Sequence, residues 1–267
     1  MKQFCLGSLL LWIVTVFAYS QEVSRNFTTL TYNKILQEKD VAADSRLTIT
    51  SLIEQQTAKA IRFNSTFTEK TIPIVFHILY ANADQKVSAE NIERQLAALN
   101  DHFSLAKKVE NHPNDPEGKY AKRAVDTNIR FCLATRDGDG NAIAGINYVP
   151  TTVSEWSELV GIKESREGVI AITPENLLNI WVVALPKENA GYAQMPGRGT
   201  METDGVVINY HYFGMTTDEN FGQGASLSFL IAQYLNLYPL SGHSLDYPCS
   251  DDYVDDTPLH NSRNSGC

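Results

Sequence analysis

Few side chains in this 267-residue chain stand where they could do chemistry. Gly224-Ala225-Ser226-Leu227-Ser228 comes one residue short of a nucleophile elbow, the strained strand-to-helix turn that presents a serine for acyl transfer. Ser228 stands where the closing glycine is needed, and no strand leads into the turn. His211, His243 and His260 carry imidazoles that can ligate metal, yet none has a Cys or His at ligand spacing. The acidic run that contains Asp251, Asp252, Asp255 and Asp256 gathers hard oxygen ligands of the kind calcium takes; a solvated acidic loop would have the same composition. Asp137-Gly138-Asp139-Gly140 lacks the closing Glu of a calcium loop and reads as a turn.

The element around which these groups are arranged is the stretch 224–239. Its apolar side chains recur at three- and four-residue spacing, which predicts an amphipathic helix buried in the core. Asn236 sits where a helix can turn away through a left-handed residue, and Pro239 bars continuation.

The wording of that helix, Gly-x-Ser-Leu-Ser-x-x-x-x-x-Tyr-Leu-Asn-Leu, resembles the active-site helix of the pappalysin family of metzincin zinc metallopeptidases. That family writes Gly-Arg-Thr-Leu-Thr before His-Glu-x-x-His-x-x-Gly/Asn-x-x-His. Two His at i and i+4 share a helix face, the Glu between them is general base, and a third His beyond the turn completes the zinc site. Here Phe229 stands at the first His position, Leu230 at the Glu, Gln233 at the second His and Pro239 at the third. Phe, Leu and Pro offer neither ligand nor base, and the Gln233 carboxamide is a poor zinc ligand. The resemblance therefore implies the scaffold with no zinc site and no catalytic residue.

The resemblance spans residues 72–267 and is reinforced by 191–197, 204–210 and 252–258. It implies an α/β (α+β) fold, the upper metzincin subdomain: a twisted mixed sheet with a backing helix and the former active-site helix. Residues 72–80, 128–134 and 177–183 read as strands, with His77 a packed core histidine. Ser88 caps the backing helix, Glu90 and Glu93 favour its first turn, and Ile92, Leu96, Leu99 and Phe103 form its apolar stripe. In the family an edge strand near 191–197 or 204–210 pairs with the substrate backbone. Asp252, Asp255, Asp256 and Thr257 match a calcium-binding loop that the family closes with a disulfide, here Cys249 to Cys267. The family's strand at 178–183 often ends in Cys where this chain has Val183, so Cys132 is expected as a buried, unpaired thiol.

Composition sets the rest. A formal net charge of −9 opposes nucleic acid and anionic membrane as partners. Lys2, the apolar run 6–17 and Ala18-Tyr19-Ser20 make residues 1–20 a secretory signal rather than a membrane span, so the mature protein is expected outside the cell. Residues 21–70 are polar, with a helix expected around 42–61, and by position resemble the family's leader or pro-segment. No Cys lies between Gln21 and Phe131 to block a metal. Residues 71–267 are the metallopeptidase-like domain, which the resemblance implies stops before the Met-turn. The expected function is a secreted, catalytically inactive homologue, at most a module binding a protein or peptide that the sequence does not identify. The alternatives are a zinc metalloendopeptidase by family membership, or a non-functional gene fragment.

A Cys249–Cys267 bridge would contribute roughly 3 kcal/mol by restricting the unfolded chain. Thiol counting with peptide mapping is expected to find that bridge and a reduced Cys132; a bridge containing Cys132 would overturn it. Millimolar calcium should raise the melting temperature if the loop binds it.

Overall fold

The computed structural model describes residues 26–39, 68–105, 124–157, 159, 161–164, 166–214, 223–239 and 251–252. Among the described residues seven strands form one mixed sheet: β1 (Asn26–Phe27), β2 (Lys70–Tyr80), β3 (Ile129–Leu133), β4 (Ile146–Pro150), β5 (Leu178–Val183), β6 (Asn189–Ala193) and β7 (Val206–Asn209). The order is β1-β6-β7-β5-β2-β3, and β4 also pairs with β2. Because β3 pairs with the first half of β2 and β4 with the second, while β5 takes its other side, β3 and β4 lie end to end along one edge. Every pairing is parallel except β6 with β7.

Alternation along the strands sorts side chains onto two faces. Ile74, Phe76 and Ile78 of β2, Ile180 and Val182 of β5, and Val206 and Ile208 of β7 build one core. Helix α2 (Ala89–Ser104) and helix α3 (Ala225–Tyr234) cover it. Ser88 accepts a hydrogen bond from the Asn91 amide as the N-cap of α2, and Ile92 and Leu99 are fully buried on the expected stripe. On the opposite face Trp181, Val183, Tyr192 and Val207 form a second core with Trp156 and Ile162. His77 is buried there, stacked on Trp181 with Nε2 2.9 Å from Asn179 Oδ1, and burial lowers its pKa; it is the packed histidine expected.

One expectation changes. Cys132 is exposed, because β3 is an edge strand whose alternation turns Phe131 inward and Cys132 to solvent. Among the described residues of the N-terminal segment Thr29–Lys39 form helix α1; residues 42–61, where a helix was expected, lie outside the described residues. The Asp137–Gly140 stretch is a turn, in which Asp137 Oδ1 accepts from the amides of Asp139 and Asn141.

Gly191 is a point of close approach in the sheet. Its φ is +140°, and a Cβ there would lie 2.3 Å from the Val207 carbonyl oxygen and 2.9 Å from Leu230 Cδ1. Gly191→Ala is therefore expected to destabilise the fold by about 2–3 kcal/mol, read as a lowered denaturation midpoint at unchanged slope. A neutral result would mean that β6 and α3 can separate without loss.

Candidate functional site

Helix α3 starts at Gly224, held at φ +67° as its N-cap. Gln95 of α2 fixes that start: its side chain donates to the Gly224 carbonyl at 3.0 Å and accepts from the Gly214 amide at 2.7 Å. The C-terminus closes as expected. Asn236 is left-handed at φ +75°, the Asn236 amide donates to Gln233 O, and the Leu237 amide donates to Ala232 O, the paired bonds of a Schellman turn. Pro239 follows, buried.

Each position singled out on this helix has a definite place. Leu230, at the general-base position, is fully buried in the core against the β6 backbone. Phe229 and Gln233, one turn apart on one face, both meet the N-terminal segment. The Phe229 ring lies 4.5 Å from that of Phe27, and Gln233 Oε1 accepts from the Thr29 hydroxyl at 2.6 Å. An aromatic pair of this kind contributes about 0.5–1.5 kcal/mol beyond burial. These residues do not fit a zinc ion: Phe229 has no ligand atom, Leu230 no proton acceptor, and the Gln233 oxygen is engaged. Among the described residues no group of three or more His, Cys, Asp or Glu converges on one point.

The N-terminal segment also occupies the outer edge of β6. β1 runs parallel to it, pairing Asn26 with Asn189 and Phe27 with Gly191 across an irregular register, and the Thr28 amide donates to Gly191 O at 3.0 Å. Beyond that point the backbone turns into α1 and side chains continue the ladder. The Ala193 amide donates to Thr29 Oγ1 at 3.1 Å. Asn33 donates to Ala193 O at 2.8 Å and accepts from the Met195 amide at 2.9 Å. Thr29, Tyr32, Asn33 and Leu36, at helical spacing, are the buried face of α1.

α1 closes a second feature. Lys163 is buried at 2% exposure among the rings of Tyr32, Trp181 and Tyr192, with Nζ 4.9, 4.9 and 5.6 Å from their centroids. It donates to the carbonyls of Thr203 at 2.7 Å and Gly205 at 3.2 Å. Burial pushes its pKa down to about 7, partly offset by Asp204. Burial likewise raises the Asp204 carboxyl, against the pull of the Tyr234 hydroxyl that donates to it at 2.6 Å.

The other candidates do not converge on this place. Ser228 Oγ lies 2.7 Å from His102 Nδ1, a tie between α3 and α2, and Ser226 is buried. Asp252 is buried; Asp255, Asp256, Thr257, Cys249, Cys267, His243 and His260 lie outside the described residues, as does the signal segment 1–20. Thr29, Tyr32, Asn33 and Lys163 were not singled out by the sequence.

No protein-family profile matches the chain. An extracellular metalloprotease of Arthroderma gypseum is 22% identical over 219 residues, covering 79% of this chain and 63% of its own length. The chain thus spans just under two thirds of that curated relative. Among solved structures, mature mirolysin of Tannerella forsythia, in complex with a cleaved peptide, is 30% identical with a TM-score of 0.67, over 76% of each chain. A promirolysin mutant from the same organism is 28% identical with a TM-score of 0.73, over 91% of this chain and 79% of its own.

Lys163 gives the site a pH signature. Its pKa falls from the ordinary 10.5 to about 7 on folding, so between these values the unfolded chain holds more protons and stability rises with pH. The slope should be measurable from about pH 7 to 9.5, below the range where the buried tyrosines add an opposite one. Lys163→Met is expected to flatten it; an unchanged slope in chemical denaturation across that range would place the proton elsewhere.

Proposed function

This chain belongs to the metzincin-type metallopeptidase family of mirolysin, and within that family we propose that it is a secreted, pappalysin-like member that has lost zinc and with it peptidase activity. The observation that carries this reading is that the helix face of the two zinc His is taken by Phe229 and Gln233, each engaged with the N-terminal segment. Leu230 in the core has no lone pair with which to deprotonate a water. Family likeness alone favours a zinc endopeptidase, but a fold does not confer a site.

The extracellular naming of the curated relative supports export through the signal at 1–20, with 21–70 resembling a pro-segment and 71–267 the metallopeptidase-like region. The longer reach of the likeness to the pro form, 91% of the chain against 76% for the mature form, supports that division. Calcium at Asp252, Asp255, Asp256 and Thr257 and the Cys249–Cys267 bridge belong to the same reading. As a binding module the protein would engage a protein or peptide. Among the described residues no helix is long and apolar enough to cross a membrane.

Elemental analysis of the dialysed protein is expected to find substoichiometric zinc, and a peptide library is expected to remain uncut. Stoichiometric zinc with chelator-sensitive cleavage would overturn the proposal.

A further inference from the structure

We propose that residues 26–39 are a permanent part of the folded protein rather than a removable leader, and that the vacated zinc-ligand face of α3 is now their docking site; this rests on the reading that the site holds no zinc. Three observations on different elements converge. On α3, the Phe229 ring packs at a tilt against Phe27, and Gln233 accepts from Thr29. On β6, four main-chain groups along the outer edge, Gly191 O, Ala193 N, Ala193 O and Met195 N, are bonded by Thr28, Thr29 and Asn33. On the far face of the sheet, Tyr32 lies 4.3 Å from Tyr192 and closes the aromatic enclosure of Lys163.

The segment therefore grips both faces: Phe27 joins the core beneath α3, while Tyr32 and Leu36 join the opposite core. Its removal would uncover Lys163 and the apolar faces of Tyr192 and Trp181, and would leave an edge of open donors and acceptors. The replacements on α3 match the segment rather than merely lacking a metal. An aromatic ring stands opposite Phe27, and an amide oxygen opposite the Thr29 hydroxyl, which itself accepts from Ala193. With this edge filled in cis, an extended peptide has no place to pair along β6.

The test uses the full-length secreted product. Mass spectrometry of protein purified from its own source should find residues 26–39 in the folded protein, in continuous chain or as a co-purifying fragment. A folded mature form lacking them would overturn the proposal. In the full chain, Phe229→Ala with Gln233→Ala should speed amide hydrogen exchange at Thr28, Ala193 and Met195 by roughly tenfold, with β2 and α2 unchanged. Should that variant fail to fold, Phe27→Ala with Thr29→Val probes the same contacts from the segment side. Unchanged exchange at those three amides in a folded variant of either kind would overturn the docking site. Zinc content of the same sample separates the two ideas: zinc with the segment retained defeats the loss of the metal but supports retention, whereas a zinc-free protein without the segment defeats retention alone.

Discussion

The outer edge of β6 is the constraint on which this half of the molecule depends. A strand at a sheet margin presents main-chain donors and acceptors that must be bonded or kept in water, and β6 is buried along its whole length. The chain meets this with its own N-terminal segment, using backbone at Asn26–Thr28 and then the side chains of Thr29 and Asn33. The switch from backbone to side chain lets the segment become helical without abandoning the ladder. The buried face of α1 then covers Tyr192 and Lys163 on one side of the sheet, while Phe27 reaches α3 on the other.

Helix α3 is positioned by contacts from its own chain. Gln95 fixes its start, the left-handed Asn236 ends it, and Leu230 seats it in the space left by the missing side chain of Gly191. None of these contacts involves the side chain of Phe229 or Gln233, which is why the scaffold can stand with its motif replaced. What the ligand positions do touch is the segment. The geometry that suits two imidazoles around a cation also suits one ring and one carboxamide against Phe27 and Thr29, because both arrangements need only two side chains one turn apart on the same face.

Much of this was legible in the sequence, for identifiable reasons. The runs at 72–80 and 177–183 are continuous and apolar because β2 and β5 lie inside the sheet with both faces covered, and α2 announced itself by Ser88 and a stripe at three- and four-residue spacing. Asn236 was readable because few residues tolerate its conformation. α1 was not, since its buried face includes Thr29 and Asn33, whose value lies in hydrogen bonds to a strand distant in sequence. Lys163 was hidden for the opposite reason: lysine ordinarily marks surface, and only the assembled enclosure of three rings reveals its burial. The expectation for Cys132 failed because strand pattern alone does not say which strand is the margin.

The form of the edge closure also limits what the sheet can do next. Among the described residues β1 is Asn26–Phe27, and the chain then leaves the sheet as a helix, so beyond Thr28 its backbone does not continue as a further template. A longer added strand would have satisfied the same groups of β6 while presenting a fresh edge of its own. By ending the ladder with Thr29 and Asn33, the chain bonds the β6 edge and turns the polar atoms of α1 into its own intrahelical bonds. Those side-chain bonds are held in place by apolar packing, because Tyr32 and Leu36 on the same helix face are anchored in the core. Polar closure of the edge and hydrophobic docking of α1 are thus one interaction: loosening Tyr32 from Tyr192 would draw Thr29 and Asn33 away from β6 as well.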